Sequence, residues 1–77
     1  LANITLYPNP ATSVVVLQAS QEIATIQVLN ILGQRISSVT VNNTTSTINV
    51  SDLSAGTYIA NVLFSNGNTQ NINFIKK

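Results

Sequence analysis

The 77-residue chain contains no cysteine, histidine, methionine or tryptophan, and only 6% of its residues are charged. Without cysteine the fold has no disulfide, and without cysteine or histidine the ordinary ligands of zinc and copper are absent. Acid–base or nucleophilic catalysis needs a tuned base, or carboxylates that lie as a pair. The two carboxylates, Glu22 and Asp52, stand apart in predicted turns. We therefore expect no enzyme activity, no metal site and no cofactor.

The charge balance argues against several classes of partner. A net charge of +1 is too small to indicate nucleic acid as the main partner. No apolar run approaches the 18 residues or so that a transmembrane helix requires. Serine, threonine, asparagine and glutamine take the place of charges, which is typical of an all-β domain of a secreted protein. The sequence starts without Met or a signal peptide, so we expect one domain, residues 1–77, from a larger secreted protein.

Apolar residues alternate with polar ones along most of the chain, which is the period of β-strands. No segment shows a helical period. Polar loops are predicted at Ser20–Glu22 and Asn42–Ser46. The pattern predicts about seven short antiparallel strands in an immunoglobulin-like β-sandwich, with a small closed barrel as the alternative. The predicted strands are Asn3–Tyr7, Val14–Ala19, Ala24–Ile31, Gln34–Val41, Thr47–Val50, Tyr58–Phe64 and Thr69–Lys76.

Proline and glycine mark the predicted turns. Pro8 and Pro10 end the first strand, so Tyr7-Pro8-Asn9-Pro10 should leave the sheet as a stiff, extended corner. Gly33 is expected in the left-handed region of a three-residue hairpin turn. Asn66-Gly67 predicts a two-residue type I′ hairpin, with positive φ at both positions.

The most apolar stretch, Leu53–Phe64, predicts a central strand. Tyr58, Ala60, Val62 and Phe64 would share one face, with Ile59 and Leu63 on the other, so we expect both faces to be covered. A turn precedes this strand, in which Ser51 and Asp52 would bond the local backbone and Gly56 would take positive φ. Tyr58, which follows Leu53 and Gly56, is typical of a tyrosine corner, in which the hydroxyl bonds the backbone upstream.

Four blocks, in this order, resemble a known family. They are Ile4-Thr5-Leu6-Tyr7-Pro8-Asn9-Pro10-Ala11, Val28-Leu29-Asn30-Ile31-Leu32-Gly33-Gln34, Ile48-Asn49-Val50-Ser51-Asp52-Leu53-Ser54-Ala55-Gly56-Thr57-Tyr58, and the final Ile75-Lys76-Lys77. Together they resemble the type A C-terminal sorting domain of the type IX secretion system (the Por secretion system). One departure is Asn30, where the family often has aspartate; asparagine would make the same local bond.

The resemblance implies a non-enzymatic signal domain behind an N-terminal cargo domain of the same chain. The cargo would pass through the periplasm, and an outer-membrane translocon would then carry it to the cell surface or beyond. A sortase-like protease would usually remove the domain afterwards. The family's signal lies largely in the last strand, so the resemblance places recognition on Asn73, Phe74, Ile75, Lys76 and Lys77, and gives the Tyr7–Ala11 block a structural role.

Two other functions are compatible with the residues alone. A carbohydrate-binding or adhesive module would use exposed aromatic platforms. The strand period places Tyr58, Phe64 and Phe74 on the predicted inward face, which leaves only Tyr7 for such a platform. A structural spacer would need no particular ending. Ile75-Lys76-Lys77 is therefore either a solvated strand end or an address that another protein reads, with no small-molecule substrate in either case.

Overall fold

The computed structural model describes residues 3–77, which form five β-strands and no helix. The strands pair antiparallel in the order β1-β2-β4-β5, and β3 pairs with β2 beside this path. The all-β prediction is confirmed. The strands are β1 (Ile4–Tyr7), β2 (Val14–Asn30), β3 (Arg35–Asn49), β4 (Gly56–Phe64) and β5 (Thr69–Lys76).

Strands β2 and β3 form one long ribbon that folds back on itself. A straight strand of 17 residues would extend about 56 Å, whereas the longest dimension of the domain is 32 Å. The first half of β2 pairs with β1, and its second half pairs with β4. Register shifts between Gln18, Ile23 and Thr25, together with a φ of 52° at Asn42, mark the bend. The result is a curled antiparallel sheet.

The prediction of seven separate strands is wrong, because five strands cover the described residues. Ser20–Glu22 was predicted as a loop but lies inside β2, and Asn42–Ser46 was predicted as a loop but lies inside β3. Both segments are polar because they lie on the mostly exposed outer side of the bend. The register shifts let the ribbon turn, with β2 and β3 paired on both sides of the bend, and asparagine accepts the left-handed conformation that the bend requires.

One continuous hydrophobic core fills the curl. The two-residue period predicts Val15, Leu17, Ile26 and Val28 on the inner face, and all four are buried. Ala19 and Ile72, which the same period places inward, are only half-buried. Each buried set follows the two-residue period from which it was predicted. The remaining buried apolar residues are Ala11, Ile23, Ile48, Val50, Tyr58, Ala60, Val62, Phe64 and Phe74, with Ile4, Leu6, Ala19, Val41 and Leu53 partly buried against them.

Strand β4 is central in the sheet, as predicted, because it lies between β2 and β5. The prediction that both of its faces are covered is wrong. Leu63, on the second face, is 37% exposed and Ile59 is half-buried. Thr57 and Asn61 lie on the same face and alternate with these two apolar residues. This face is the outer surface of the curl, so its apolar residues are covered only by neighbouring side chains of the same face.

Both tight hairpins have three-residue loops with one left-handed glycine. Gly33 has a φ of 85°, as predicted, and Gly67 has a φ of 93°. Phe64 and Asn68 close the second loop, with the Phe64 amide donating to the Asn68 carbonyl at 2.8 Å. The prediction of a type I′ turn is wrong, because Asn66 does not have positive φ. A three-residue loop needs only one left-handed position, and the Asn66 side chain instead accepts from the Asn68 amide at 3.0 Å.

The turn before β4 also differs in part from the prediction. Asn49 supplies the side-chain oxygen, which accepts from the Ser51 amide at 2.9 Å and from the Ser51 hydroxyl at 2.7 Å. Asp52 is exposed in the turn, and Gly56 has the expected positive φ, at 155°. The tyrosine corner is confirmed, because the Tyr58 hydroxyl donates to the Ser54 carbonyl at 2.7 Å.

Candidate recognition surface

The predicted recognition residues, Asn73–Lys77, alternate between the core and solvent. Phe74 is 1% exposed and Lys76 is 8% exposed. Asn73, Ile75 and Lys77 face outward, and Ile75 is 48% exposed. The five residues therefore do not form one free tail. We call Asn73–Lys77 the terminal segment.

Phe74 packs the terminal segment against the core. Its ring stacks on the ring of Tyr58, with 5.8 Å between the ring centroids. These two residues are also direct partners in the β4–β5 ladder. Since the Tyr58 hydroxyl is itself held by Ser54, the tyrosine corner orients the side chain against which the terminal segment packs.

The segment Tyr7–Ala11, here called the proline corner, holds the other side of the terminal segment. Residues 8–10 form bends, so the predicted extended corner is wrong. Both X-Pro bonds are cis. The Asn9 side-chain oxygen accepts from the Ile75 amide at 3.0 Å. The Ala11 amide donates to the Ile75 carbonyl at 2.8 Å, and the Lys77 amide donates to the Ala11 carbonyl at 2.7 Å. Ala11 therefore adds a short parallel bridge at Lys76.

The outer edge of β5 is consequently half covered. Backbone groups along a strand point alternately to the two sides, and those of Ile75 point outward, to the proline corner. The same alternation turns the amide and carbonyl groups of Thr69, Asn71 and Asn73 outward. Within residues 3–77 no strand pairs with this edge before the bridge at Lys76. Thr69–Asn73 is thus an open sheet edge.

The two ends of the described chain lie at opposite ends of the molecule. The Ser20 amide donates to the Asn3 carbonyl at 3.0 Å, and Asn66 bonds Gln21 nearby at 3.1 Å. We call this end the N-terminal pole. At the other end, Lys76 pairs with Gly56 at the start of β4. We call that end, which also carries the proline corner, the C-terminal pole.

The turn at residues 31–33 also lies at the C-terminal pole. Asn30, which precedes it, pairs with Tyr58, and Tyr58 pairs with Phe74. Arg35, which follows it, is exposed. All three cations of the chain, Arg35, Lys76 and Lys77, therefore lie at this pole, where Asp52 is the one carboxylate. The Lys76 ammonium donates to the Lys77 carbonyl oxygen at 3.4 Å, in a partly buried position.

The rest of the described surface offers little for chemistry. Residues 3–77 contain no group of three or more side chains that could hold a metal ion. They include no helix with the length and apolar character needed to cross a membrane. A shallow depression of about 200 Å³ on the outer face is lined by uncharged residues, namely Thr25, Gln27, Asn61, Leu63 and Thr69.

One contact and one exposed pair of residues differ from the sequence-based predictions. The bond from Ile75 to Asn9 joins residues 66 positions apart, and no local pattern signals it. The exposure of Ile31 and Leu32 was foreseeable, because two apolar residues within a three-residue loop have no neighbouring strand to cover them. The predicted strand Ala24–Ile31 includes Ile31, whereas β2 ends at Asn30.

Comparison with known proteins identifies the class. The family model described as "Secretion system C-terminal sorting domain" matches residues 5–77. The chain belongs to this family, which is the C-terminal sorting signal of type IX secretion. No curated protein matches the chain.

CopC from Methylosinus trichosporium OB3b is among the solved structures that share the fold. CopC and this chain are 15% identical, with a TM-score of 0.56, and the match covers 96% of this chain and 91% of CopC. At this identity the likeness concerns the fold alone.

Membership of this family defines the role of the domain in export, the kind of partner it has and its typically non-catalytic character. The domain directs export across the outer membrane to the cell surface or beyond. It interacts with the secretion system and is attached to a cargo chain. A sorting signal of this kind is typically non-catalytic.

Proposed function

We propose that the translocon reads the outward side of the terminal segment together with the open edge of β5. The observation that carries this proposal is the alternation at Asn73–Lys77, which buries Phe74 and Lys76 and exposes the other three residues. The buried pair would fix the strand in the fold. Asn73, Ile75 and Lys77 would then be presented to a receptor in a fixed geometry, which lowers the ordering cost of binding.

Backbone pairing supplies the physical basis for recognition. An unpaired strand edge can add a strand from a partner, whose main-chain hydrogen bonds provide affinity. The open edge at Thr69–Asn73 has its outward amide and carbonyl groups available for such a strand. Lys77, exposed at the end of this edge, adds a positive charge that steers an acidic receptor surface toward it.

The position of Asn3 fits a cargo domain on the opposite side. A chain that precedes residue 3 would leave from the N-terminal pole, away from the terminal segment. In this scheme residues 1–77 form the sorting domain of a larger secreted protein, which is recognised in the periplasm after export from the cytoplasm. A sortase-like protease cuts on the cargo side, and the domain itself performs no reaction.

The same proposal extends to the architecture. The folded β2–β3 ribbon would make the two layers of an immunoglobulin-like sandwich, with β1 beside the first half of β2 and β4 and β5 beside the second half. The support is that one core cluster contains residues from both halves of the ribbon, such as Leu17 and Val28.

An export assay tests the proposal. The 77 residues are fused behind a periplasmic reporter in a host that carries the type IX system, and the reporter outside the cells is measured. Asn71→Pro removes an outward amide without touching the ladder to β4, because proline is tolerated at sheet edges. Asn71→Ala is the matched control, since both variants lose the Asn61–Asn71 side-chain bond.

We expect the parent fusion and Asn71→Ala to be exported, and Asn71→Pro to be retained while its denaturation midpoint stays near that of Asn71→Ala. Deletion of Ile75–Lys77 should also retain the reporter. Equal export of the proline and alanine variants would refute edge pairing. Export of the deletion variant would show that the translocon does not need the terminal segment for recognition.

A further inference from the structure

The most exposed large apolar side chains of the described residues stand together on one turn. Ile31 is 70% exposed and Leu32 is 79% exposed. They follow Asn30 directly and occupy the first two of the three positions that the Asn30–Gln34 backbone bond encloses between β2 and β3. Exposed aliphatic side chains on a loop tip contribute nothing to the core, and polar residues would form the same turn. Their presence therefore points to a contact outside the domain.

Hydrogen bonds hold this turn in one conformation. The Asn30 side-chain oxygen accepts from the Leu32 amide at 2.9 Å and from the Gln34 amide at 3.0 Å. The Asn30 side-chain nitrogen donates to the Gln34 side chain at 2.8 Å. The Asn30 amide also donates to the Gln34 carbonyl, and the Gly33 amide to the Asn30 carbonyl, each at 3.0 Å. The two aliphatic side chains thus project from a pre-organised support.

The turn faces the same way as the terminal segment. Strands β2 and β5 are separated by β4 alone, so they lie roughly 10 Å apart. Arg35 and Lys77 are exposed at the same pole and give it positive charge. The described chain begins at the opposite pole, at Asn3. A cargo domain is therefore poorly placed to cover the turn.

We infer that Ile31 and Leu32 form a second docking element, which inserts into an apolar pocket with an acidic rim on a protein of the secretion machinery. This inference rests on the proposed function and adds a contact that is separate from β5. The charge at the pole complements an acidic rim, and the fixed turn matches a shaped pocket. Two small aliphatic side chains hold less hydrocarbon than one myristoyl chain, which binds a bilayer only marginally. A protein pocket is therefore favoured over a lipid surface.

The export assay with the reporter fusion provides the test. The double variant I31T/L32S removes the aliphatic pair and leaves Asn30 and Gly33 in place. The matched control is V39T/L63T, because Val39 and Leu63 are 40% and 37% exposed and lie within strands away from the C-terminal pole. We expect a fall of at least tenfold in exported reporter for I31T/L32S and export near the parent level for V39T/L63T, with both denaturation midpoints close to that of the parent.

Photo-cross-linking keeps the inference testable if I31T/L32S folds poorly. A photoreactive residue at position 32 or position 63 of the full fusion is irradiated in cells that are exporting it. We expect position 32, and not position 63, to link to a component of the secretion machinery. Export of I31T/L32S at the parent level overturns the inference, as does a link from position 32 only to lipid, to cargo or to a second copy. If the parent fusion itself is not exported, the proposed function fails instead.

Discussion

Replacing Asn9 by alanine tests how the proline corner holds the terminal segment. The Asn9 side-chain oxygen is the acceptor for the Ile75 amide, at 3.0 Å. A hydrogen bond of this kind contributes about 1 kcal/mol to stability. Asn9→Ala should therefore make opening of this contact about fivefold more favourable, while Asn9→Asp, which keeps an acceptor at the same position, should preserve it.

Amide hydrogen exchange measures this opening locally. The Ala11 amide is the best reporter, because its own bond to the Ile75 carbonyl, at 2.8 Å, is retained in both variants. Its exchange rate reports the free energy of detaching the corner from the strand. We expect about fivefold faster exchange in Asn9→Ala, and parent-like exchange in Asn9→Asp.

Two results would refute the reasoning. Unchanged exchange at Ala11 in Asn9→Ala would mean that the side-chain bond does not hold the segment. Equal acceleration in Asn9→Asp would mean that the acceptor oxygen is not the relevant atom. Amides in the middle of β4 serve as the internal reference, because they lie between two strands and should exchange only through larger openings.

Two further predictions concern stability. Tyr58→Phe removes the bond to Ser54 and should lower the free energy of unfolding by about 1 kcal/mol, which lowers the melting temperature by about 4–8 °C. An unchanged melting temperature would mean that the tyrosine corner does not stabilise the fold. Phe74→Ala should lower the free energy of unfolding by about 3–5 kcal/mol, because it leaves a cavity in the core. Ile75→Ser changes the neighbouring residue, which is 48% exposed, and should leave the urea midpoint nearly unchanged. Similar midpoints for the two variants would contradict the burial pattern of the terminal segment.

Features that depend on neighbouring residues could be predicted from the sequence. The inward faces of the strands follow from the two-residue period, and Gly33 follows from the positive φ of a three-residue loop. The hydroxyl bond of Tyr58 spans only four residues. The local bond expected of Asn30 was also found. Each of these features is decided within a few positions of the chain, where residue type limits the available conformations.

Features that depend on distant segments could not be predicted. Polar residues at 20–22 and 42–46 look like loops, although they continue strands whose flanking residues pair with remote partners. The apolar residues Ile59 and Leu63 predict a covered outer face of β4. This prediction is wrong because residue type does not reveal whether another layer lies above a strand. The type of turn at Asn66 depended on the register of the strands that it joins.

The sequence by itself determined the all-β class, the faces of the strands and, through four ordered motifs, the family. Only the tertiary structure decided that Lys76 is buried at the end of the last strand, and that Asn9 holds this strand. The physical reason is that period and turn chemistry act along the chain, whereas burial of a strand end depends on segments brought to it from the far end of the sequence.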